Sequence, residues 1–574
     1  MLTTSRFSAA PTPAAPHGDD EFRLARAAIE VHGEELAGYP GVISVRPGYR
    51  FRRGRLTREP AVVVSVLGKK DVSQLDSRDL LPRRLGKIAV DVIPASPLAQ
   101  LHAARKAEAS LLLSEAAGVV ARLAAERGVV DLRTPLEREQ AEELVFGPEA
   151  LREEYPRPDR EPAELDEEMT LICHASPDAG WRLLRAFLEA TQQNLTATMY
   201  EFTARYILDT LLAVLQRPKT FHFVMDHETD GNGLNNPEAL EELVGALGDR
   251  LKFAWAPVAQ DNITKVAFFP SAYHIKVAVR DGQAVWLSSG NWKPSGQPAI
   301  DPFDPPPNFN AQTFQNTQNR EWHIIAESPG LAEQFKFFID YDLELALPLQ
   351  IEGLEALRVP TLPDLFVPER LAEPGLESTV QFFEELKLTK RIRIRPLLTP
   401  DNFIDHVLPL VQNAQRRIWF QNQSLKPNKS KPRYEELFQT LRDHSQNPDI
   451  DARIIVRGDF DPFEVRQVLQ QDGYNMKRVR LQNGCHTKGI IVDDLAVVVG
   501  SHNWTGEGTL ENRDASLIIH DPEVITYYEK LFNYDWERVA SEDIEALELM
   551  PLLALSDVPT PEGMHRVSWG DFFE

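Results

Sequence analysis

Short, strand-like runs of apolar residues alternate with stretches of helical periodicity through much of the chain. Between residues 168 and 345, the runs LICHAS, LTATMYEF (195–202) and TFHFVMD (220–226) are separated by helical patterns at 178–193 and in ARYILDTLLAVLQ. The runs YHIKVAVRD, AVWLSSGNW and WHIIAE follow. Strands that alternate with helices predict a parallel or mixed sheet covered by helices on both faces.

The same order of elements returns in the second half of the chain. RIRIRPLL precedes a helical pattern at 401–415, RIWFQNQ precedes another at 433–444, and ARIIVRG, CHTKGIIVD, AVVVGSHNW and ASLIIHD complete the series. An internal duplication predicts two lobes of similar structure. We therefore predict an α/β protein with two similar lobes, each a mixed or parallel sheet covered by helices, and a small N-terminal α/β domain.

The N-terminal part differs from both copies. It has a helical pattern at 21–38, β-rich runs near 42–51 and 61–67 that suggest a hairpin, a further strand at 87–94, and a helical pattern at 99–127. The predicted organisation is a disordered tail at 1–20, an N-terminal α/β domain of unknown role at 21–160, a first lobe at 168–345, a connector at 346–390, a second lobe at 391–550 and a C-terminal tail at 551–574.

Each copy carries a histidine and a lysine two residues apart at the start of an apolar run. An aspartate follows five residues after the lysine, and a serine and an asparagine follow on the next run. The spacing from histidine to asparagine is 17 residues in both copies. The matching residues are His274 and His486, Lys276 and Lys488, Asp281 and Asp493, Ser289 and Ser501, and Asn291 and Asn503.

This spacing has a chemical consequence. Positions i and i+2 of an extended strand point to the same face, so a histidine and a lysine at that spacing reach one ligand together. The chain then turns and returns on a neighbouring strand, which presents the serine and the asparagine on the same side. A single motif of this kind is typical of an exposed strand edge, but its repetition at equivalent places favours catalysis. Two such lobes facing each other would place two imidazoles and two ammonium groups around one phosphorus atom.

HIKVAVRD with SSGN, and HTKGIIVD with GSHN, resemble the duplicated motif of the phospholipase D superfamily. The resemblance covers about 168–345 and 391–545. It implies two α/β lobes with the active site at their interface, and a phosphodiesterase (a hydrolase or transphosphatidylase) that acts through a phosphohistidine intermediate. It also implies that no metal and no other cofactor takes part.

By the same resemblance, one histidine attacks phosphorus and the other protonates the leaving oxygen. We expect His274 to be the nucleophile and His486 the general acid, a division that predicts a bell-shaped pH profile. Lys276, Lys488, Asn291 and Asn503 are expected to hold the non-bridging oxygens. Ser289 and Ser501 are expected to support that shell.

Family members place a carboxylate behind each histidine, where it fixes the tautomer. In the second copy the residue at that place is Asp514, one methylene shorter than the usual Glu, and in the first it is Glu321. Glu321 comes later in its copy because an insertion at about 293–317 intervenes, and this insertion borders the site as a possible lid. Asp281 and Asp493 lie at strand turns and are expected to be structural.

Two tryptophans directly follow the motif asparagines. Trp292 and Trp504 are candidates for walls of the substrate cleft, and core packing is the alternative interpretation. The first copy also departs from the family pattern at Ser288, where glycine is usual.

Charge bears on the partner. The formal net charge is −24, which disfavours nucleic-acid binding by the chain as a whole, but residues 41–90 contain twelve Lys and Arg against four Asp and Glu. That segment is either a solvated surface or a contact for an anionic lipid surface or nucleic acid. The two cysteines, Cys173 and Cys485, and the lack of a signal peptide or membrane-spanning run lead us to expect a cytoplasmic protein.

The sequence predicts the chemistry more closely than the substrate. The favoured hypothesis is phospholipase D-type hydrolysis or head-group transfer on a phospholipid. The alternatives are an endonuclease acting on DNA or RNA, for example in bacterial defence, and a non-catalytic scaffold that binds phosphate. The oligomeric state stays open.

Overall fold

The fold is described from a computed structural model of the chain. The structure describes residues 22–52, 55–67, 80–95, 100, 151–227, 234–259, 263–350, 365–368, 380–458, 462–542, 552–553 and 564–567. The tail predicted at 1–20 and the helical pattern at 99–127 lie almost wholly outside these residues. The chain divides into two compact units, one formed by 1–103 with 545–550 and the other by 104–544 with 551–574.

The first unit is a small α/β domain. Its elements are α1 (Arg23–Ala37), β1 (Val42–Arg52), β2 (Arg55–Val66), β3 (Arg84–Leu85) and β4 (Ile88–Pro94). The sheet order is β1-β2-β4-β3, with β1 and β2 forming the predicted antiparallel hairpin and β4 parallel to β2. The alternate valines Val62 and Val64 of β2 pack with Ile88 and Val90 of β4 because every second residue of a strand faces the same side.

The second unit contains the remaining strands. They are β5 (Leu151–Arg152), β6 (Leu165–Ser176), β7 (Asn194–Met199), β8 (Thr220–Met225), β9 (Leu251–Trp255), β10 (Val266–Ala267), β11 (Val277–Arg280), β12 (Ala284–Ser288), β13 (Glu321–Glu327), β14 (Leu365–Pro368), β15 (Leu386–Leu398), β16 (Arg417–Asn422), β17 (Asp451–Arg457), β18 (Val479–Gln482), β19 (Lys488–Val492), β20 (Ala496–Gly500), β21 (Ala515–His520), β22 (Leu552–Leu553) and β23 (Met564–Val567).

The α-helices of this unit connect and cover the strands. They are α2 (Gly180–Glu189), α3 (Arg205–Val214), α4 (Asn236–Leu247), α5 (Ala311–Thr317), α6 (Pro329–Ala346), α7 (Phe403–Gln412), α8 (Pro432–Gln446), α9 (Pro462–Gln471), α10 (Gly506–Leu510) and α11 (Pro522–Tyr534). Short 3₁₀ turns lie at Gly248–Arg250, Leu347–Leu349 and Met476–Arg478, and a π-helical turn at Asp535–Val539. None of the helices that the structure describes is long and apolar enough to cross a membrane.

One continuous sheet of fourteen strands joins the two lobes. Its order is β18-β17-β16-β19-β20-β21-β15-β6-β13-β12-β11-β7-β8-β9. The central strands β15 and β6 pair antiparallel from Leu386 opposite Cys173 to Ile394 opposite Leu165. On either side of this joint, seven strands follow in the same relative order, so the predicted duplication and the two α/β lobes are confirmed.

The core lies on both faces of this sheet. The buried sides of α6 and α11 pack across the joint against apolar residues of β6, β13 and β21. Cys173 and Cys485 are both buried there, each as a thiol rather than in a disulfide. Strands β14, β22 and β23 form a separate three-stranded sheet, so the segments interpreted as connector and tail contribute strands of their own.

Candidate active site

The two histidine–lysine motifs lie where a strand of each lobe begins. His274 and Lys276 directly precede β11, and Lys488 is the first residue of β19. Because β11 and β12 are antiparallel, the beginning of β11 lies beside the end of β12, where the chain continues to Ser289 and Asn291. The second lobe repeats this arrangement with β19 and β20. The sequence placed the histidines within the strands; they lie in the extended segments that lead into them.

Each histidine faces a carboxyl group of the opposite lobe. Nδ1 of His274 lies 2.8 Å from Oδ1 of Asp514, and Nδ1 of His486 lies 3.1 Å from Oε1 of Glu321. The sequence suggested the reverse assignment, in which each carboxyl serves the histidine of its own copy. Isolated β-bridges between the lobes pair Arg320 with Cys485 and Tyr273 with Arg513, so the carboxyl that follows each arginine lies beside the histidine of the other lobe.

The difference between Glu321 and Asp514 matches a difference in the neighbouring loop. A Cβ atom on Gly290 would lie 1.3 Å from Oε2 of Glu321, so the longer carboxyl requires glycine there. The equivalent residue of the second lobe is His502. Its Nδ1 lies 2.6 Å from Oγ of Ser516 and its ring stacks on Phe403, with 3.7 Å between centroids. The shorter Asp514 therefore coexists with a bulky third residue in the GSHN segment.

Ser288 also has a structural explanation. Its Oγ lies 2.7 Å from Nδ1 of His323, the residue at the place of Ser516, whose own Oγ lies 2.6 Å from Nδ1 of His502 in the second lobe. Serine in place of glycine at this position thus supplies a hydrogen-bond partner for His323 and leaves the reacting groups unchanged.

Both motif lysines are buried beside the histidines. Nζ of Lys276 donates to the carbonyl of His274 at 2.9 Å and lies 5.1 Å from the centre of the Tyr200 ring. Nζ of Lys488 lies 2.9 Å from Nε2 of His486 and donates to the carbonyl of Ser289, in the other lobe, at 3.2 Å. The structure therefore brings the predicted groups of both lobes together around one centre.

Burial and the ammonium groups set the protonation of the site. The pKa of His274 and that of His486 are well below the usual range because both rings are buried, and Lys276 and Lys488 lower them further. Burial raises the pKa of Glu321 to about 8 and that of Asp514 well above its usual range. The resting site thus keeps neutral imidazoles, and carboxyls that resist ionisation, next to two ammonium groups, an arrangement that attracts an anion.

A buried ion pair of the first lobe was missed in the sequence. Nζ of Lys293 lies 3.1 Å from Oε2 of Glu201, and the same oxygen accepts a hydrogen bond of 3.4 Å from the side-chain amide of Asn291. Phe202 forms an isolated β-bridge with Trp292, and Leu425 forms the equivalent β-bridge with Trp504. The residues next to them show that Glu201 and Lys293 correspond to Ser424 and Thr505 in the second lobe. A lysine two residues after a motif asparagine was the available signal.

A duplicated arginine was also missed. Each site carboxyl follows an arginine in the repeated segments Asn-Arg-Glu (319–321) and Asn-Arg-Asp (512–514), and both arginines are buried. Each arginine forms ion pairs with two carboxylates, one from each lobe. These ion pairs link the two lobes next to the strands that carry Glu321 and Asp514. The pairs are Arg320 with Asp178 and Asp535, and Arg513 with Asp342 and Asp401.

The motif serines and aspartates make structural contacts. Oγ of Ser289 accepts the N–H of Trp322 at 3.0 Å, and Oγ of Ser501 donates to Asp514 at 2.7 Å. The Asp281 carboxylate accepts three backbone N–H groups of residues 192–194 at 2.7–2.9 Å, and Asp493 does the same for 415–417 at 2.8–2.9 Å. Both aspartates have a positive φ, 53° and 50°, at the turn between the motif strands.

The proposed tryptophan walls are corrected by the structure. Trp292 is fully buried in the core of the first lobe, with its ring centre 5.1 Å from that of Phe202. Trp504 is 3% exposed and contacts Phe420 edge to face. Core packing was therefore the right interpretation. The sequence could not show this, because strand periodicity does not say which face of the lobe a residue covers. Asn291 is buried, whereas Asn503 is partly exposed.

The insertion begins behind Glu321. A Cβ on Gly296 would lie 2.8 Å from Oε1 of Glu321, and Lys293 and Gln297 are buried. Residues further along form α5, where Phe314 and Phe309 pack together with 5.1 Å between ring centres. A function of the insertion as a lid remains a prediction.

The fold and the site define a two-lobed α/β protein with paired histidine–lysine motifs around one shared centre. A family model described as cardiolipin synthase, phospholipase D-like domain, matches residues 407–536. The second lobe, with its histidine–lysine motif, is therefore similar to phospholipase D-like domains. A mitochondrial cardiolipin hydrolase of Xenopus laevis is 29% identical over 91 residues, which is 16% of this chain and 43% of that relative. The matched region thus spans less than half of the relative's length.

Several solved structures are similar to this chain at low sequence identity. A phosphatidylserine synthase of Haemophilus influenzae Rd KW20 has a TM-score of 0.45 and 13% identity, over 65% of this chain and 88% of that one. A polyphosphate kinase of Porphyromonas gingivalis has a TM-score of 0.38 and 10% identity, over 68% of this chain and 53% of that one. The phospholipase D family member Nuc of Salmonella typhimurium has a TM-score of 0.23 and 17% identity, over 32% of this chain and 97% of that one.

Proposed function

We propose that the chain is a metal-independent phosphodiesterase in which His274 and His486 act on one phosphorus atom through a phosphohistidine intermediate. The observation that carries the proposal is the exchange of carboxyl groups between the lobes, at 2.8 Å and 3.1 Å from the two histidines. Neither lobe alone contains a histidine together with the carboxyl that orients it, so the site is complete only where both meet.

His274 is assigned as the nucleophile. Asp514 holds the proton on Nδ1, which leaves the lone pair on Nε2 for attack. His274 is also the more accessible ring, at 7% exposure against 1% for His486, whose Nε2 is engaged by Lys488 in the resting state. In the first step the N–P bond forms and the P–O bond to the leaving group breaks, with a proton passing from His486 to that oxygen.

The second step reverses these functions. His486, now neutral, takes a proton from water or from an alcohol as the oxygen attacks phosphorus, and the N–P bond to His274 breaks. Lys276 and Lys488 hold the non-bridging oxygens and stabilise the charge that develops on them. The bound phosphate also offsets the two ammonium groups that lower the pKa of His486, which favours the protonated ring that the first step requires.

A phospholipid is the proposed substrate class, with hydrolysis or head-group exchange as the reaction. The description of the matching family model and the name of the Xenopus relative both concern cardiolipin. The excess of Lys and Arg in 41–90 is suited to an anionic lipid surface, and a cytoplasmic location remains part of the same proposal.

The test is a substrate panel in the presence of EDTA, with vesicles of phosphatidylcholine or cardiolipin, single-stranded DNA, duplex DNA and RNA. We expect release of a phospholipid head group or of diacylglycerol phosphate, and loss of that activity in His274→Ala and in His486→Ala. His32→Ala, on the exposed face of α1, is the matched control and keeps the activity. Cleavage of nucleic acid alone selects the nuclease hypothesis, and inactivity on every substrate selects the scaffold.

A further inference from the structure

A basic concavity lies at the outer edge of the second lobe, on the edge strand β18. It encloses about 560 Å³ and is open to solvent. Its lining residues come from the beginnings of β17 and β18, the 3₁₀ turn before β18 and the π-helical turn after α11: Asp451, Arg453, Lys477, Arg478, Arg480, Trp536 and Glu537.

Two of the three arginines of this concavity, Arg453 and Arg480, are held in place by aromatic rings. The Arg453 guanidinium lies 4.5 Å from the centre of the Trp419 ring and 5.9 Å from that of Trp536, and the Arg480 guanidinium lies 4.4 Å from Trp536. Arg453 and Arg478 also share the Asp451 carboxylate, at 3.2 Å and 3.4 Å. Side chains ordered before a ligand arrives lose less conformational entropy when it binds.

The lining retains an excess of positive charge. It carries four cationic side chains against two carboxylates, in a chain whose formal net charge is −24, and one further carboxylate, Glu542, lies 3.2 Å from Arg480. Within the described part of the chain Lys477 has no carboxylate partner, and it is exposed at the rim. The side chains of Arg453, Arg478 and Arg480 are 26%, 32% and 23% exposed, so part of each guanidinium edge faces the opening.

The concavity is separate from the catalytic centre. β17 runs from Asp451, at the concavity, to Arg457, whose charge acts on His486 at the other end of the strand. At about 3.3 Å per residue, Arg453 and Arg457 are ~13 Å apart along the strand. A ligand in this concavity therefore does not occupy the position of the reacting phosphate.

We propose that this concavity is a second anion site that binds a phosphate group of another molecule, either a soluble phosphate ester or a phospholipid head group. A guanidinium presents a planar fork that matches two phosphate oxygens, and a lysine ammonium adds a mobile point charge. The site does not depend on the proposed function, because its residues take no part in the chemistry.

Binding of pyrophosphate to the full-length chain, measured by titration calorimetry, tests the soluble source, and co-sedimentation with phosphatidylcholine vesicles with or without phosphatidic acid tests the lipid source. We expect Lys477→Glu and Arg478→Glu each to weaken one of these interactions about tenfold or more, the size of one lost charge-assisted contact. Lys488→Met, which alters the catalytic centre, leaves this binding in place and so separates the two phosphate sites.

Arg433→Glu is the matched control, since Arg433 is an exposed arginine of the same lobe whose NH1 lies 2.7 Å from the Asp405 carboxylate. It is expected to leave binding unchanged, and all three charge reversals are expected to keep the thermal midpoint and the turnover of a soluble aryl phosphodiester. The proposal is overturned if neither probe binds, if Arg433→Glu weakens binding as much as Arg478→Glu, or if only a single-stranded oligonucleotide binds.

Discussion

The exchanged carboxyl groups predict that Asp514→Asn and Glu321→Gln damage different steps of the reaction. Asp514 lies 2.8 Å from His274 and would stabilise the positive charge that this ring gains when Nε2 bonds to phosphorus. Glu321 lies 3.1 Å from His486 and would support transfer of a proton to the leaving oxygen. Each amide replacement keeps the shape of the side chain and removes its ability to become an anion.

The size of each effect follows from the contact that is lost. A hydrogen bond to a charged group contributes about 1.5–3 kcal/mol, which corresponds to roughly 10–150-fold in rate. Asp514→Asn should lose this factor with every substrate, because all of them require attack by His274. Glu321→Gln should lose it only where the leaving group needs a proton, since a p-nitrophenolate departs without one.

The assay measures the pre-steady-state release of the leaving group from phosphatidylcholine and from phosphatidyl-p-nitrophenol, which differ only in that group. We expect Asp514→Asn to slow both releases alike and Glu321→Gln to slow only that of choline. The opposite pattern, with Asp514→Asn sparing p-nitrophenol, would refute the pairing across the lobes or the assignment of the nucleophile. Circular dichroism and the thermal midpoint establish that both variants are folded.

Further variants test the surroundings of these groups. Gly290→Ala should cost ~1–3 kcal/mol of stability and most of the activity, because its Cβ would lie 1.3 Å from Glu321. The control Gly245→Ala, whose Cβ would have no atom within 4 Å, should be neutral or stabilising. Equal losses in the two variants would contradict the steric requirement for glycine at position 290. Lys293→Met should lower the free energy of unfolding by about 3–5 kcal/mol, measured with denaturant, because it leaves the Glu201 carboxylate buried without its ion-pair partner. The double variant with Glu201→Gln should lose less than Lys293→Met alone. Additive losses would argue against an ion pair between Lys293 and Glu201. Glu321 has a pKa of about 8, so the folded chain keeps a proton that the unfolded chain releases above about pH 4.5. The stability of the wild type should therefore fall between about pH 5 and about pH 8, and the thermal midpoint of Glu321→Gln should rise relative to that of the wild type over the same range. A difference in thermal midpoint that does not change with pH would exclude a protonated Glu321. The same titration predicts that kcat/KM falls as pH rises through about 8, because the proton shared by Glu321 and His486 is lost, and a plateau well beyond that pH would contradict this.

The duplicated order of strands could be predicted from the sequence because its signals are local. Apolar runs, their separation by helical patterns and the 17-residue spacing between histidine and asparagine are all properties of short segments. The same is true of Asp281 and Asp493, whose places at strand turns indicated a structural function. The sequence also indicated which residue types meet, since each lobe supplies one histidine and one lysine.

What the sequence did not reveal depends on how the lobes join. Backbone bridges between the lobes, from Tyr273 to Arg513 and from Arg320 to Cys485, decide that Asp514 reaches His274, and no local pattern encodes that contact. The same joint lets Arg320 and Arg513 each pair with carboxylates of both lobes. Trp292 illustrates a second limit, because a residue that follows a motif asparagine lies either in the cleft or in the core, and only packing decides between them.

The most direct test of a single phosphorus site served by both lobes uses His486→Ala with a radiolabelled p-nitrophenyl phosphodiester. Attack by His274 then needs no general acid, but the intermediate lacks the base that activates water. We expect a burst of about one p-nitrophenolate per chain followed by a stall, with the label on the peptide that contains His274. Continued turnover without a stall, or a label on any other residue, would contradict it.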